Sequence, residues 1–462
     1  MFSAKTYIER RNELKKKFNK GILLFLGNEE APMNYAGNTY HYRQDSTFLY
    51  YWGLNQPRVA ALVNIDKNEE IIFGDDRSVD DIVWMGFDES IHEKAKKVGI
   101  SVVKSFSKLD NYLQKYLKKG TKIHYLPQYR QDNIFLLEDL LNIKHKKVNE
   151  NASPKLIKAV VKQRSIKSEE EITEIEKAIE TSYEMNTTAM KLMKAGIIER
   201  EISGKVEGIA LSRGNGVSFP IIFSVNGQIL HNHSHENIMQ DGQIAVLDSG
   251  AETMMGYASD ITRTIPVNGK FNEKQKAIYN IVLDSQLKSI SMMKPNVKFK
   301  DVHLTAAKVI AKGLKEIGIM KGNVEEAVEK GAHALFFPHG LGHMMGLDVH
   351  DMENLGENYV GYSKAIKRSD QFGLAYLRLG KELKEGFVVT VEPGCYFIPA
   401  LIDQWKEERK HEKFINYDKI EEYRDFGGIR IEDDVLVTAN GNRVLGKPIP
   451  KTVEEVEKAC AK

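Results

Sequence analysis

Apolar and polar positions alternate in short blocks along the first third of the chain. The runs 22–26, 59–65 and 70–73 read as strands, whereas 107–117 and 133–141 carry apolar stripes at three-to-four spacing and read as helices. The charged N-terminal stretch reads as a further amphipathic helix. This mixture predicts an α/β domain with a partly parallel sheet over residues 1–165. The pattern changes near 162–167. Ser168 stands three residues before Glu171, a capping box ahead of a long helix with Ile172, Ile175, Ile179, Met185 and Met190 on one face and a stop at Gly196. A second helix follows over 199–212. Strands over 244–250 and 257–267 read as an antiparallel hairpin, helices over 272–293 and 300–317 come next, and strands over 387–391 and 428–437 close the pattern. Segregated helices and strands predict an α+β domain over 166–462. The polar stretch 403–425 reads as a surface excursion.

Composition narrows the class. With 462 residues, 42% hydrophobic and 28% charged, the chain is an ordinary globular mixture large enough for two cores. Its 66 basic and 64 acidic residues leave a net charge of +2, which gives no electrostatic reason to expect nucleic acid or an anionic membrane as partner. Cys395 and Cys460 make no disulfide framework, and no signal peptide or spanning segment is legible. A cytoplasmic location is expected.

Candidate chemistry lies in the second part. Asp248 ends an apolar strand, and Asp260 sits in the returning one. For either acid a salt bridge, for instance with Arg263, is the plain alternative. Two acids facing across a hairpin repel each other unless a cation lies between them. His339, His343 and His350 crowd a glycine-rich segment, Glu392 ends another apolar strand, and Glu432 follows Arg430. At strand period two, Arg430, Glu432 and Asp434 share one face, so Arg430 can orient the carboxylates. Asp248, Asp260, His343, Glu392 and Glu432 form an oxygen-rich donor set with one nitrogen. Such a set suits two divalent metal ions, manganese above all, with Zn²⁺ or Co²⁺ as alternatives. A bridged pair of cations lowers the pKa of a shared water and yields a nucleophile near neutral pH.

In this order the residues resemble the proline-specific branch of the methionine aminopeptidase-like, pita-bread metallopeptidases. The motifs are LDSG (Asp248), SDITRT (Asp260), HGLGH (His343), TVEPG (Glu392) and IRIEDD (Glu432). The resemblance implies a pita-bread catalytic domain over 166–462 behind an aminopeptidase P/prolidase-type domain over 1–165. It implies that Asp260 and Glu432 bridge both metals, that Asp248 completes one shell and His343 with Glu392 the other, and that Glu392 is the acid/base partner of a bridging hydroxide. It gives His231 a catalytic place, and His339 and His350 the task of holding the substrate carbonyl and the tetrahedral intermediate. His233 and His235 match nothing and read as loop residues. The stretches 42–48 and 82–86 resemble the family's first domain. There Trp84 reaches a neighbouring subunit's site, which implies a homo-oligomer, dimer or tetramer; ordinary core packing is the alternative for Trp84.

Two activities compete within the resemblance. An Xaa-Pro dipeptidase (prolidase) splits dipeptides, whereas an Xaa-Pro aminopeptidase (aminopeptidase P) acts on longer peptides with proline second. The stretches 372–378 and 414–420 resemble prolidases, in which Arg378 grips the dipeptide's terminal carboxylate. The dipeptidase is the preferred expectation. A creatinase-like enzyme or an inactive binding module of the same fold is the alternative of another class, and the complete donor set counts against both.

Overall fold

The run Ile22–Leu26 is buried on every residue and becomes an inner strand of a five-stranded sheet. The computed structural model describes residues 1–461. In sheet order the strands are Val102–Lys104, Glu69–Phe73, Ala60–Asn64, Ile22–Leu26 and Ile123–His124. The three middle strands pair antiparallel and the two outer ones join parallel, so the sheet is mixed. The helices Ala4–Lys15, Leu109–Leu117 and Gln131–Leu141 form where the sequence pattern predicts them. Arg11 is fully buried and donates to Glu70 Oε2 (2.8 Å), Tyr51 O (2.9 Å) and Val98 O (2.8 Å). A buried guanidinium is tolerated because several acceptors satisfy it at once.

This first compact unit comprises Met1–Arg164 together with Glu353–Tyr359; the second comprises Ser165–Met352 and Val360–Lys462. The second unit opens with the helix Glu169–Leu192, whose Ser168 and Glu171 form the reciprocal cap that the sequence encodes. That helix stops four residues before Gly196. The helix Glu199–Arg213 and the long pair Glu273–Met292 and Phe299–Glu316 follow. Three sheets carry the chemistry. Ile244–Ser249 pairs antiparallel with Ile261–Pro266, placing Asp248 opposite Thr262. Val388–Val391 pairs with Asp433–Val437, and Gly394–Tyr396 with Gly428–Arg430.

Two expectations change. The single strand expected over 428–437 is broken into two pieces. Opposite the break lies Pro393, which has no amide to donate to a ladder. Ile431 N–H instead reaches Pro393 O (3.4 Å), and Glu432 N–H donates to Thr262 O (3.0 Å). The interruption sets Glu432 beside the hairpin rather than within a sheet. The polar stretch 403–425 is not a plain surface excursion. It holds the end of the helix Pro399–Glu407 and the short helix Tyr417–Ile420, and it buries Trp405, Phe414, Ile415 and Ile420. Its dense charges mask apolar residues at helical spacing.

Candidate metal centre

Each acid of the donor set is delivered by the end or the interruption of a strand. Asp248 lies in Ile244–Ser249, and Asp260 stands one residue ahead of Ile261–Pro266. Glu392 follows Val388–Val391, and Glu432 occupies the break before Asp433–Val437. His343 is held against Thr390, giving its N–H to Thr390 Oγ1 (3.1 Å) and accepting Thr390 N–H (3.0 Å). Gly342 permits that approach, since a Cβ there would stand 2.0 Å from Thr390 O.

All five residues line one cavity of about 740 Å³. One donor atom each from Asp260, His343 and Glu432 falls within 4.8 Å of the others. His343 Nε2 stands 3.4 Å from Asp260 Oδ2 and 3.8 Å from Glu392 Oε1. Its Nδ1 lies 3.0 Å from Met344 O, a carbonyl that only accepts, so Nδ1 carries the proton and Nε2 presents a lone pair to the acids.

The electrostatics are those of a cation site. Burial, then repulsion from Asp248, Asp434 and Glu392, pushes Asp260 well above the carboxylate range. Burial, then Asp260 and Glu392, does the same to Glu432. Burial raises Glu392 to about 7 against the pull of His343 and Arg430. Asp248 Oδ1, Asp260 Oδ1 and Glu432 Oε1 are buried with no hydrogen-bond partner in the protein. Buried oxygens are ordinarily satisfied. Here the unsatisfied ones are acidic and line one cavity, and the lone pair of His343 Nε2 faces Asp260 Oδ2 and Glu392 Oε1, so the residues fit divalent metal.

Of the salt bridges offered as the alternative, the one with Arg263 is not formed, whereas Asp248 does pair with Arg430. Arg263 is fully buried and pairs with Asp433 Oδ1 (2.7 Å), while its Nη1 donates to Glu432 O (2.6 Å). Arg430 gives Nη2 to Asp248 Oδ2 (2.6 Å), Nε to Thr262 Oγ1 (3.3 Å) and Nη1 to Tyr396 Oη (2.9 Å). Its direct carboxylate partner is Asp248, whereas Glu432 is held by Thr262 Oγ1 (2.7 Å). Burial alone would depress the guanidinium pKa, but Tyr396, Asp248 and Glu392 hold it well above the usual value.

The remaining histidines gather around the same cavity. His350 stacks on His343 with ring centres 3.9 Å apart. His339 places Nδ1 2.8 Å from Gly340 O and Nε2 2.9 Å from Tyr396 Oη. Burial, then Arg430, lowers its pKa to about 3. His231, Arg378 and Arg430 line the cavity as well, and so does His233, which the motif reading had left in a loop. His235 turns away to Phe223 O (3.1 Å). The i, i+2 spacing of His231 and His233 was the available signal, because extended chain points both side chains the same way. Tyr396 and Thr262 carry no such signal: an apolar strand with a tyrosine or threonine is unremarkable until its neighbours are known. Trp84 belongs to the first unit. It is 82% exposed on the helix Val79–Met85, with Val79, Val83 and Met85 also exposed, which removes core packing as its explanation.

Comparison with known proteins agrees with this architecture. Residues 173–439 match the model of metallopeptidase family M24, and residues 7–125 match the aminopeptidase P N-terminal domain. The chain is 31% identical over 449 residues to the human Xaa-Pro dipeptidase, covering 95% of this chain and 88% of that protein. It is 32% identical over 451 residues to a probable Xaa-Pro aminopeptidase of Uncinocarpus reesii, covering 95% and 89%. A solved Escherichia coli aminopeptidase P variant in complex with substrate superimposes with a TM-score of 0.81 at 29% identity, covering 99% of this chain and 98% of that one. The zinc-substituted form of that enzyme in complex with product matches equally, with a TM-score of 0.81 at 29% identity over 100% and 99%. The clustered acids on a pita-bread scaffold, the two domain matches and the near full-length relatives agree, and the chain belongs to metallopeptidase family M24.

Proposed function

We propose that this protein hydrolyses the bond between an N-terminal residue and a following proline, as an Xaa-Pro dipeptidase. The observation that carries the reading is the set of partnerless carboxylate oxygens on Asp248, Asp260 and Glu432, in a cavity that His343 and Arg378 also line. Asp248, Asp260, His343, Glu392 and Glu432 would hold two divalent ions, most naturally Mn²⁺, with Zn²⁺ or Co²⁺ as substitutes. Bound there, the ions would supply Lewis acidity and an activated water.

The chain's own residues do the rest. Glu392, held near 7 and partly open to the cavity, takes a proton from the attacking water as the oxygen bonds to the scissile carbonyl carbon. The same carboxyl returns the proton to the departing proline nitrogen as the carbon–nitrogen bond breaks. His231 and His350 are assigned to orient the carbonyl oxygen as it gains charge, and His339, engaged at Nδ1 by Gly340 O and at Nε2 by Tyr396 Oη, joins them by releasing one of these contacts. Arg430 fixes Asp248 and helps bind the substrate. Arg378 pairs with the terminal carboxylate of a dipeptide, a group that a longer peptide presents elsewhere.

Residues 166–462 are assigned to the catalytic domain and 1–165 to the N-terminal domain. The exposed apolar helix around Trp84 supports a homo-oligomer in which Trp84 reaches a neighbouring subunit's substrate site. No helix among the described residues is long and apolar enough to cross a membrane, and the charge balance favours no nucleic acid; a cytoplasmic location is proposed. The Xaa-Pro aminopeptidase remains the second reading, favoured by the full-length likeness to solved aminopeptidase P. Turnover of Ala-Pro against Ala-Pro-Ala, with and without a chelator, tests both. Preference for the dipeptide with recovery by Mn²⁺ supports the proposal. Preference for the tripeptide selects the aminopeptidase, and full activity in the chelated protein sinks the metal mechanism.

A further inference from the structure

Resting on that reading, we propose that the buried ion pair Lys167–Asp351 positions two stacked imidazoles of the site, His343 and His350. Lys167 Nζ stands 2.7 Å from Asp351 Oδ2, and both side chains are 1% exposed. The aspartate follows His350 directly, at the end of a turn that begins at His343. Within the turn Asp351 N–H donates to Met344 O (2.9 Å), and Asp351 Oδ1 accepts Asp348 N–H (3.3 Å).

Met344 O has a second donor. It accepts His343 Nδ1–H (3.0 Å), the bond that fixes the tautomer and aims Nε2 at Asp260 and Glu392. One carbonyl therefore receives the metal-facing histidine from one side and the ion-paired residue from the other. His350 rides on the same turn, stacked 3.9 Å from His343. A shift of Asp351 moves the acceptor that orients His343 and the backbone that carries His350. Groups behind a metal ligand tune its aim and basicity in this manner.

The lysine is anchored on its own side. Lys167 N–H donates to Gly386 O (2.8 Å), just ahead of the strand Val388–Val391 that ends at Glu392. Met345 N–H donates to Val388 O (3.0 Å), joining the turn to the same strand. A Cβ on Gly346 would stand 2.8 Å from both Asp351 Oδ2 and Lys167 Cε, so the pair fits beneath the turn only because position 346 has no side chain. In the sequence Lys167 marks only the change of pattern near 162–167; in the fold it is a positioning residue.

A merely structural pair and a positioning pair respond differently to neutralisation. Lys167→Met alone removes the ammonium that faces a buried carboxylate and lowers the melting temperature under either role. The double variant Lys167→Met/Asp351→Asn removes both charges and keeps the acceptor for Asp348 N–H. Its melting temperature is expected to return close to that of the parent. Co²⁺ affinity, titrated calorimetrically into the chelator-stripped protein, is expected to remain roughly 10- to 100-fold weaker. Turnover of Ala-Pro is expected to fall by a similar factor with KM nearly unchanged. Parent-like Co²⁺ affinity and turnover in the double variant overturn the proposal. If the double variant does not fold, Lys167→Arg keeps the charge but displaces its centre, and parent-like Co²⁺ affinity there overturns it equally. A parent protein inactive on every Xaa-Pro peptide would refute the proposed activity, while the Co²⁺ titration still judges the ion pair.

Discussion

Tyr396 Oη lies 2.9 Å from His339 Nε2, and Arg430 Nη1 reaches the same oxygen at 2.9 Å. The guanidinium can only donate, so the phenol accepts from it and donates its own O–H to His339 Nε2. Gly340 O likewise requires His339 Nδ1 to donate. The chain Asp248, Arg430, Tyr396, His339 thus holds His339 as one neutral tautomer. Tyr396→Phe is expected to lower kcat roughly tenfold with little effect on metal affinity. Steady-state kinetics beside a metal titration checks this, and an unchanged kcat would remove the phenol from the mechanism.

Arg378→Ala is expected to raise KM for Ala-Pro by a factor corresponding to about 1.5–3 kcal/mol, the range for a charge-assisted hydrogen bond. Capping the dipeptide as its amide should cost the parent a comparable amount and the variant almost nothing. Equal losses in both proteins would show that Arg378 does not read the carboxylate.

Without metal, stability should fall as pH rises above neutrality. The folded chain holds protons on Asp260, Glu432 and Glu392 where the unfolded chain has released them. Groups with raised folded pKa values stabilise fully below their unfolded values and lose that contribution as pH climbs through the folded ones, about 7 for Glu392. His303 and His339, held near 3 by burial, act oppositely, and their contribution fades only as pH falls below the ordinary histidine value of 6.5. Melting curves in chelator from about pH 6.5 to about pH 8.5 should therefore slope downward, and saturating Mn²⁺ should flatten them. An upward slope in chelator would contradict the repulsion seen among the acids.

Arg263→Met removes the partner of Asp433 and a donor to the carbonyl of Glu432. Lys451 Nζ still reaches Asp433 Oδ2 at 2.6 Å, so the expected loss lies near the lower end of the buried-pair range, about 3 kcal/mol. Urea denaturation of the metal-free protein measures it. A loss below about 0.5 kcal/mol would place the pair among surface-like interactions.

Trp84→Glu adds a charge to a side chain that is already 82% exposed, so the fold should be kept. If the exposed apolar helix joins subunits, sedimentation should show a smaller species than the parent, with a higher KM. An unchanged oligomer would separate Trp84 from assembly.

Strand ends and caps were legible because their signals are local. Ser168 with Glu171, and the apolar runs into Asp248 and Glu392, need only neighbours in sequence to be recognised. The break between Arg430 and Asp433 was not legible, because its cause is Pro393 on the opposing segment. The helices that reach into 403–425 were hidden by charge density, although Ile402 with Trp405 and Tyr417 with Ile420 keep a helical interval of three. The period-two argument put Arg430 on the face of Glu432 but could not name Asp248 as the acid that closes the pair, because that acid lies on another strand. Lys167 gave no signal, since its partner lies in the distant turn before Met352.

The break beside Glu432 has a consequence for how the protein persists in a cell. The donors run from Asp248 to Glu432 and converge only once the hairpin and the interrupted strand have docked. An unfolded chain offers a cation little more than scattered carboxylates, so metal binds almost solely to the native form and draws the equilibrium toward it. Metal supply would then govern lifetime as well as catalysis: under scarcity the repelling acids favour opening, and proteases meet the opened chain.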